Sequence, residues 1–294
     1  MIVNVIVFAV CVCPIIVGLS TYQYIRSKKT NRSFGQFEDF KLHQIQQSVI
    51  ESSRIRAKNA HTDAMGQVVD RFHKLGLTYD DLMNVIDYVK NVDPIIHIGR
   101  GGIDWLKNET RMKNRFELNI PDKNKGDYMR DRKIWECDLF ETGYDECDDR
   151  IRPKYGCLNL MSDEKGCISA IEYGLSYIIL KEDTKSRITF TYGDSSCAWN
   201  DQICTFDNFV QVFLTMSDIT ICDIVKIVEC KKNKLQIPDV VNVNRYYTYI
   251  ETQIHGDILM QRDVKHIMLH HEHASAVILR RLCKSQIPYT ILDS

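Results

Sequence analysis

The sequence of 294 residues contains no Cys-x-x-Cys pair and no His-Glu-x-x-His. Zinc ribbons and zincin-type proteases therefore lose their usual signatures. There is no Gly-x-Ser-x-Gly, no Walker loop and no Gly-x-Gly-x-x-Gly. A nucleophile elbow, a P-loop and a Rossmann fingerprint are excluded with them. An excess of one charge is missing too. The 38 Lys and Arg face 39 Asp and Glu for a net charge of −1, so nothing global calls for nucleic acid. No repeat or low-complexity tract interrupts the chain. What remains, 44% hydrophobic and 26% charged residues, is globular in composition and long enough for one large or two ordinary domains.

One stretch lacks charge altogether. From Ile2 to Tyr22 there is no ionisable acid or base apart from tyrosine and cysteine, and about 20 such residues span a bilayer as a helix. Arg26, Lys28, Lys29 and Arg32 follow, which predicts a single-pass anchor over 1–25 with the C-terminal side cytosolic. A cleaved signal peptide and a secreted product form the alternative. Two of the 11 cysteines lie in this stretch. The others are scattered without a tight framework and are odd in number, which fits reduced thiols; a secreted disulfide protein with one spare thiol is the alternative.

The remaining text alternates. Residues 26–91 read as a linker and a helical region, with Leu42, Ile45, Val49, Ile50 and Ile55 at helical spacing and Thr78 as an N-cap three residues before Asp81. Pro94 to Gly99 reads as a strand ending in Arg100-Gly-Gly, and residues 107–133 as a charged loop. Segments 135–140, 155–160, 175–181, 187–192 and 246–255 read as strands. Segments 206–216, 219–228, 262–273 and 274–284 read as helices, followed by a last strand over 289–292. The sum predicts an α+β domain over 92–294.

Three groups of residues invite chemistry. In Tyr249-Ile-Glu-Thr-Gln-Ile-His-Gly256, a period of two puts Glu251, Gln253 and His255 on one face. They form either a solvent-facing edge or the floor of a cleft, and the aromatic lead-in of Tyr246, Tyr247 and Tyr249 favours the cleft. Arg100 follows a buried-looking strand and precedes two glycines, where backbone approaches a ligand closely and a guanidinium clamps phosphate or carboxylate. An exposed arginine on a glycine turn is the simpler reading, and His97 on that strand reads first as a core histidine. Asp194 and Ser195 either cap a turn or line the cleft. His266 and His270 stand four apart near His271, Glu272 and His273, but the pattern matches no metal motif, and no metal site is predicted.

Several ordered motifs together resemble the proteins grouped as domain-of-unknown-function family 3626. They are Trp135-Glu, Tyr144-Asp-Glu146, Arg152-Pro-Lys-Tyr-Gly-Cys-Leu-Asn159, Arg187 to Ser195, Tyr249 to Gly256 and Arg262-Asp-Val264. The likeness covers about residues 92 to 292. That family is distantly similar to ADP-ribosyltransferases, which bind NAD in a cleft between two small sheets. The resemblance implies a split β-sheet core with NAD as substrate. It implies Arg100 or His97 as the group holding NAD, with Tyr155, Asp194 and Ser195 beside it. Glu251 would act at the nicotinamide ribose, and Gln253 would orient the acceptor, an unidentified protein or small molecule.

Four departures accompany the likeness, one being Ile171-Glu-Tyr-Gly174 followed by Leu175 where the family has Pro-Arg-Phe-Gly-Ser. Ile98-Gly-Arg100 replaces His-Pro-Asp-Arg, the loop after Phe116-Glu-Leu is altered, and Asp163-Glu-Lys-Gly166 is charged where the family is glycine-rich. They motivate the alternative of an inactive module that binds a nucleotide or a protein. A weaker reading gives the work to residues 36–91 as an interaction arm.

Overall fold

Helix α1 (Gln44–Lys74) begins at a capping box in which the His43 side chain accepts the Ile45 N–H and Gln46 reaches back to the His43 N–H. This and all that follows comes from a computed structural model that describes residues 41–118, 125–198, 200–235 and 249–293. The expected anchor over 1–25 and the start of the linker lie outside the described residues. Among the described residues, no helix is long and apolar enough to cross a membrane.

Val49, Ile50, Ala57, Ala64, Val68 and Phe72 form the buried stripe of α1; of the face read from the sequence, Val49 and Ile50 belong to it, whereas Ile55 is exposed. Helix α2 (Tyr79–Asn91) starts at Thr78, whose hydroxyl accepts the Asp81 N–H at 3.1 Å while Asp81 accepts the Thr78 N–H at 2.8 Å. Phe72 of α1 and Leu82, Val85 and Val89 of α2 share one core with sheet residues Ile98, Ile178, Phe190 and Ile254. These two helices are thus built into the domain that follows them.

Eight strands follow among the described residues: β1 (Pro94–Ile98), β2 (Lys154–Leu158), β3 (Ser176–Leu180), β4 (Ile188–Tyr192), β5 (Cys204–Thr205), β6 (Ile250–Ile254), β7 (Val264–His270) and β8 (Tyr289–Leu292). They form one mixed sheet in the order β5-β4-β6-β2-β1-β3-β7-β8, antiparallel except for β7 and β8. The fold is α+β, and its sheet is continuous where two separate small sheets were expected.

The continuity rests on a short joint. Strands β1 and β2 pair only at Pro94↔Leu158 and Ile95↔Cys157. Beyond it, Ile96, His97 and Ile98 stay with β3, whereas Gly156, Tyr155 and Lys154 stay with β6. The sheet opens there, and His97 and Tyr155 stand on opposite sides of the opening.

One face of the sheet carries Ile96, Ile98, Leu158, Ile178, Phe190, Ile254 and Ile267 into the main core. Helices α3 (Arg100–Asn108), α6 (Asp218–Lys232) and α8 (Ala276–Ser285) add Trp105, Leu106, Ile221, Ile224, Ile278 and Leu282 to it. Two short helices, α5 (Val212–Thr215) and α7 (Met260–Asp263), complete that side. The other face carries His97, Tyr155, Cys157, Thr189, Thr191, Glu251 and Gln253, as their ladder partners require.

Three predicted elements differ in kind. Residues 125–133, the end of the segment read as a charged loop, open a helix. Residues 135–140, read as a strand, end helix α4 (Lys125–Phe140). Glu136, Leu139 and Phe140 are its buried side chains, a helical i, i+3, i+4 set. Residues 264–270, read as helix, form β7, with Val264, Ile267 and Leu269 buried and Lys265 exposed. Pairing with β3 and β8 on both sides decides the outcome.

Candidate functional site

A cleft of about 520 Å³ opens where β1 and β2 part. Glu251 forms part of its lining from β6, with Tyr155, Gly156 and Cys157 from β2 and His97 from β1. Helix α4 contributes Tyr128, Arg132 and Trp135 to the wall, and the turns after β4 and before β3 contribute Asp194, Ser195, Glu172 and Tyr173. Gly99, Gly101 and Gly102, at the start of α3, complete the rim.

Glu251 is 7% exposed. Its Oε1 accepts the Ser195 N–H and Gln253 Nε2–H, each at 3.3 Å. Burial, with Asp194 as a second negative neighbour, pushes its carboxyl up from the ordinary 4.5 to about 7, against the pull of the Ser195 N–H and of Arg132. The group is therefore divided between acid and carboxylate near neutrality, a condition concentrated at working sites.

Gln253 does not line the cleft. It is fully buried behind Glu251, with its Oε1 accepting from the Thr189 hydroxyl at 3.0 Å. That hydroxyl also meets His255 Nε2 at 3.1 Å, and His255 Nδ1 meets the Tyr144 hydroxyl at 2.6 Å. The face of β6 read from the period of two thus exists, but only its first residue reaches the cleft. Burial and the charges of Arg187 and Lys154 push His255 down to about 3, so its imidazole is neutral and structural.

Helix α4 supplies what the sequence reading missed. The Arg132 guanidinium lies over the Tyr155 ring, 4.1 Å from its centroid, and donates to the Tyr128 hydroxyl at 2.7 Å. It is a cation in the cleft whose charge acts on Glu251. The Tyr155 hydroxyl turns away to Glu136 Oε1 at 2.9 Å, so Tyr155 offers the cleft a ring and not a free donor. Glu136 is in turn paired with Arg152 at 2.5 Å, both almost fully buried. Arg152 also donates to the Tyr144 carbonyl at 2.9 Å. The Trp-Glu, Tyr-Asp-Glu and Arg-Pro motifs therefore meet in one buried network that holds the rear wall.

His97 lines the cleft, yet both its nitrogens are occupied. Nδ1 donates to the Gly174 carbonyl at 2.7 Å, and Nε2 accepts the Cys167 N–H at 3.0 Å. Burial lowers its pKa, which fits this neutral tautomer. Gly174 has φ +153, and a Cβ there would lie 2.0 Å from the Ile98 carbonyl oxygen, so only glycine permits the approach that seats His97.

Arg100 opens α3, and its side chain lies outside the described residues. The glycines around it are described: Gly99 is the N-cap and provides no side-chain cap, which leaves first-turn N–H groups for an acceptor from outside the helix. Asp194 accepts the Ser196 N–H at 2.8 Å and so caps its turn while also lining the cleft.

Lys154, 3% exposed, donates to the Gly256 carbonyl at 3.2 Å, and burial brings its pKa down to about 8. His270, His271 and His273 cluster at the end of β7, with the first two rings 4.2 Å apart. Among the described residues, no three His, Cys, Asp or Glu side chains gather as a metal ion would need.

The comparisons with known proteins agree with the motif pattern. A family model described as "Protein of unknown function (DUF3626)" matches residues 93–291. No curated protein matches the chain.

Proposed function

The chain belongs to the DUF3626 family, and we propose from the chemistry of its cleft that it binds NAD as a substrate and breaks the nicotinamide–ribose bond. ADP-ribose would then pass to an acceptor, a protein or small molecule, or to water. The observation that carries this reading is Glu251, a nearly buried carboxylate in a cleft that Tyr155, Tyr249, Tyr173 and Trp135 also line, under the charge of Arg132.

Cleavage of the bond between the ribose C1′ and the nicotinamide nitrogen builds positive charge on the ribose. The leaving nicotinamide is neutral and needs no acid. A carboxylate fixed beside the ribose stabilises the charge as it forms, and such preorganised groups are worth about 10²- to 10³-fold in rate. The Ser195 N–H and Gln253 hold Glu251 in place, which makes Gln253 a positioning residue. Arg132 and the uncapped start of α3 suit the diphosphate, and the aromatic walls suit flat rings. The short β1–β2 joint supports the likeness to enzymes that bind NAD between two sheets.

A second reading keeps the cleft without turnover. It is favoured by His97, whose nitrogens are both held by backbone, and by the carboxyl of Glu251, which is half protonated near pH 7. Calorimetric titration with NAD, followed by chromatography for free nicotinamide, separates the two. Saturable binding with nicotinamide release is the expected result. Binding without release supports the inactive module, and no binding at millimolar NAD overturns the NAD-cleaving reading.

A further inference from the structure

We infer that the groove between the end of α3 and α8 is a second binding site, which takes a small molecule carrying a chain of phosphates, as a nucleoside polyphosphate does. It lies apart from the cleft that holds Glu251 and does not depend on NAD.

The groove encloses about 600 Å³, within the range of small-molecule pockets. Lys107 lines it from α3, and Arg280, Arg281 and Lys284 line it from α8. Asn108, Gln261 and Ser285 add polar groups, and the exposed Val277 adds an apolar one. Four cations thus line the groove, and no Asp or Glu does. Asp104 stands 3.5 Å from Lys107 and Glu109 pairs with Lys113 at 2.7 Å, but neither acid belongs to the lining.

Arg281 is fixed in place. Its Nη1 donates to the Trp105 carbonyl at 2.9 Å and its Nη2 to the Glu109 carbonyl. It joins α8 to the end of α3 and covers carbonyls that would otherwise repel an anion. Arg280 and Lys284 are exposed, and among the described residues neither has an acidic partner. Helix stability does not account for them. They stand four apart, where like charges on one face repel. A cation in the last turn offsets the helix dipole, which serves for Lys107 and Lys284, but Arg280 precedes the last turn of α8.

An anion supplies the missing partner. A single carboxylate would leave most of this charge unmet. A phosphate chain offers several negative oxygens to two guanidinium and two ammonium groups at once. A nucleic acid fits less well, because its backbone calls for an extended basic track, whereas these four cations share one bounded groove. Helix α3 sets the separation from the cleft. Gly101 and Gly102 at its start line the cleft, Lys107 and Asn108 at its end line the groove, and its nine residues span roughly 13 Å.

The test is calorimetric titration of the whole protein with inorganic triphosphate at low and at physiological ionic strength. A saturable site is expected, weaker at the higher salt because its charges are exposed. Arg280→Ala and Lys284→Ala should each weaken it about tenfold, the worth of one charge-assisted contact. Unchanged thermal melts of both variants would show that the loss is not one of folding. Arg132→Gln, which removes a cation of the cleft, should keep the site, and ATP should compete with triphosphate for it. In the wild type, bound triphosphate should slow hydrogen exchange over 103–110 and 276–286. No binding at millimolar triphosphate overturns the proposal, as does equal affinity in the wild type and the double variant of Arg280→Ala with Lys284→Ala. Protection that falls on α4 and β6 instead overturns it as well. So does tighter binding of a single-stranded oligonucleotide than of triphosphate, which would make the groove part of a nucleic-acid track.

Discussion

Glu251→Gln is expected to abolish most of the nicotinamide release and, at the same time, to make the protein more stable above pH 7. Both effects follow from one fact: the native fold holds this carboxyl at about 7 where an unfolded chain holds it near 4.5. Between those values the native state keeps a proton that the unfolded state has released. Stability therefore falls as pH rises across the window, and it stays lower above pH 7. The full difference corresponds to roughly 3 kcal/mol, at about 1.4 kcal/mol per tenfold change in proton affinity. Glutamine does not titrate, and its carbonyl still accepts the Ser195 N–H. In thermal melts the variant should match the wild type near pH 4.5 and exceed it by several degrees at pH 8. Nicotinamide release should fall about 10²- to 10³-fold. A loss of stability at pH 8 would show that Glu251 is a structural anion and not a strained functional one.

Arg152→Ala is expected to have the largest effect on folding. Arg152 is 2% exposed and Glu136 is 1% exposed. Burial pushes Glu136 up, and Arg152 is the principal group that pulls it back. Truncation leaves a buried carboxylate with the Tyr155 hydroxyl as its remaining close donor, and it strands the Tyr144 carbonyl. Breaking such a pair costs about 3–5 kcal/mol, a large share of the roughly 5–15 kcal/mol that a domain has. The urea midpoint should drop by about 1–2 M. The double variant Glu136→Leu with Arg152→Met should recover about half of the loss or more, because no unpaired charge then remains. Equal instability in the single and double variants would place the cost in packing and not in charge.

How much of this the sequence disclosed depended on whether each element buries apolar groups. Helix α2 was legible from its period of 3.6 and strand β4 from its alternation of Thr with apolar residues, whereas β1 and β3 were legible as short apolar runs buried on both faces. Glu251, Tyr155, Asp194, Ser195 and His97 were picked out before any coordinates, and they line one cleft. Helix α4 was not legible, since its inward face carries Arg132 and Glu136 among aromatics. Buried charge defeats a hydrophobic pattern, so Arg132, one of several basic residues lining the cleft, was missed and a cation was sought at the glycine turn instead. Strand β7 was misread because histidines four apart imitate a helical face, whereas Val264, Ile267 and Leu269 are the residues its neighbours bury. Gln253 and His97 show a different limit. Alternation gives the face a side chain occupies but not whether its polar atoms are already engaged, and only their partners in the fold settle that.

The most direct test is the pH dependence of kcat/KM for nicotinamide release from NAD by the wild-type protein, because this ratio reports groups in the free enzyme. If ionised Glu251 stabilises the developing charge on the ribose, the profile rises with pH and levels off above an apparent pKa of about 7, and Glu251→Gln removes that rise. A profile that falls through the same region, or one that Glu251→Gln leaves unchanged, would contradict the assignment.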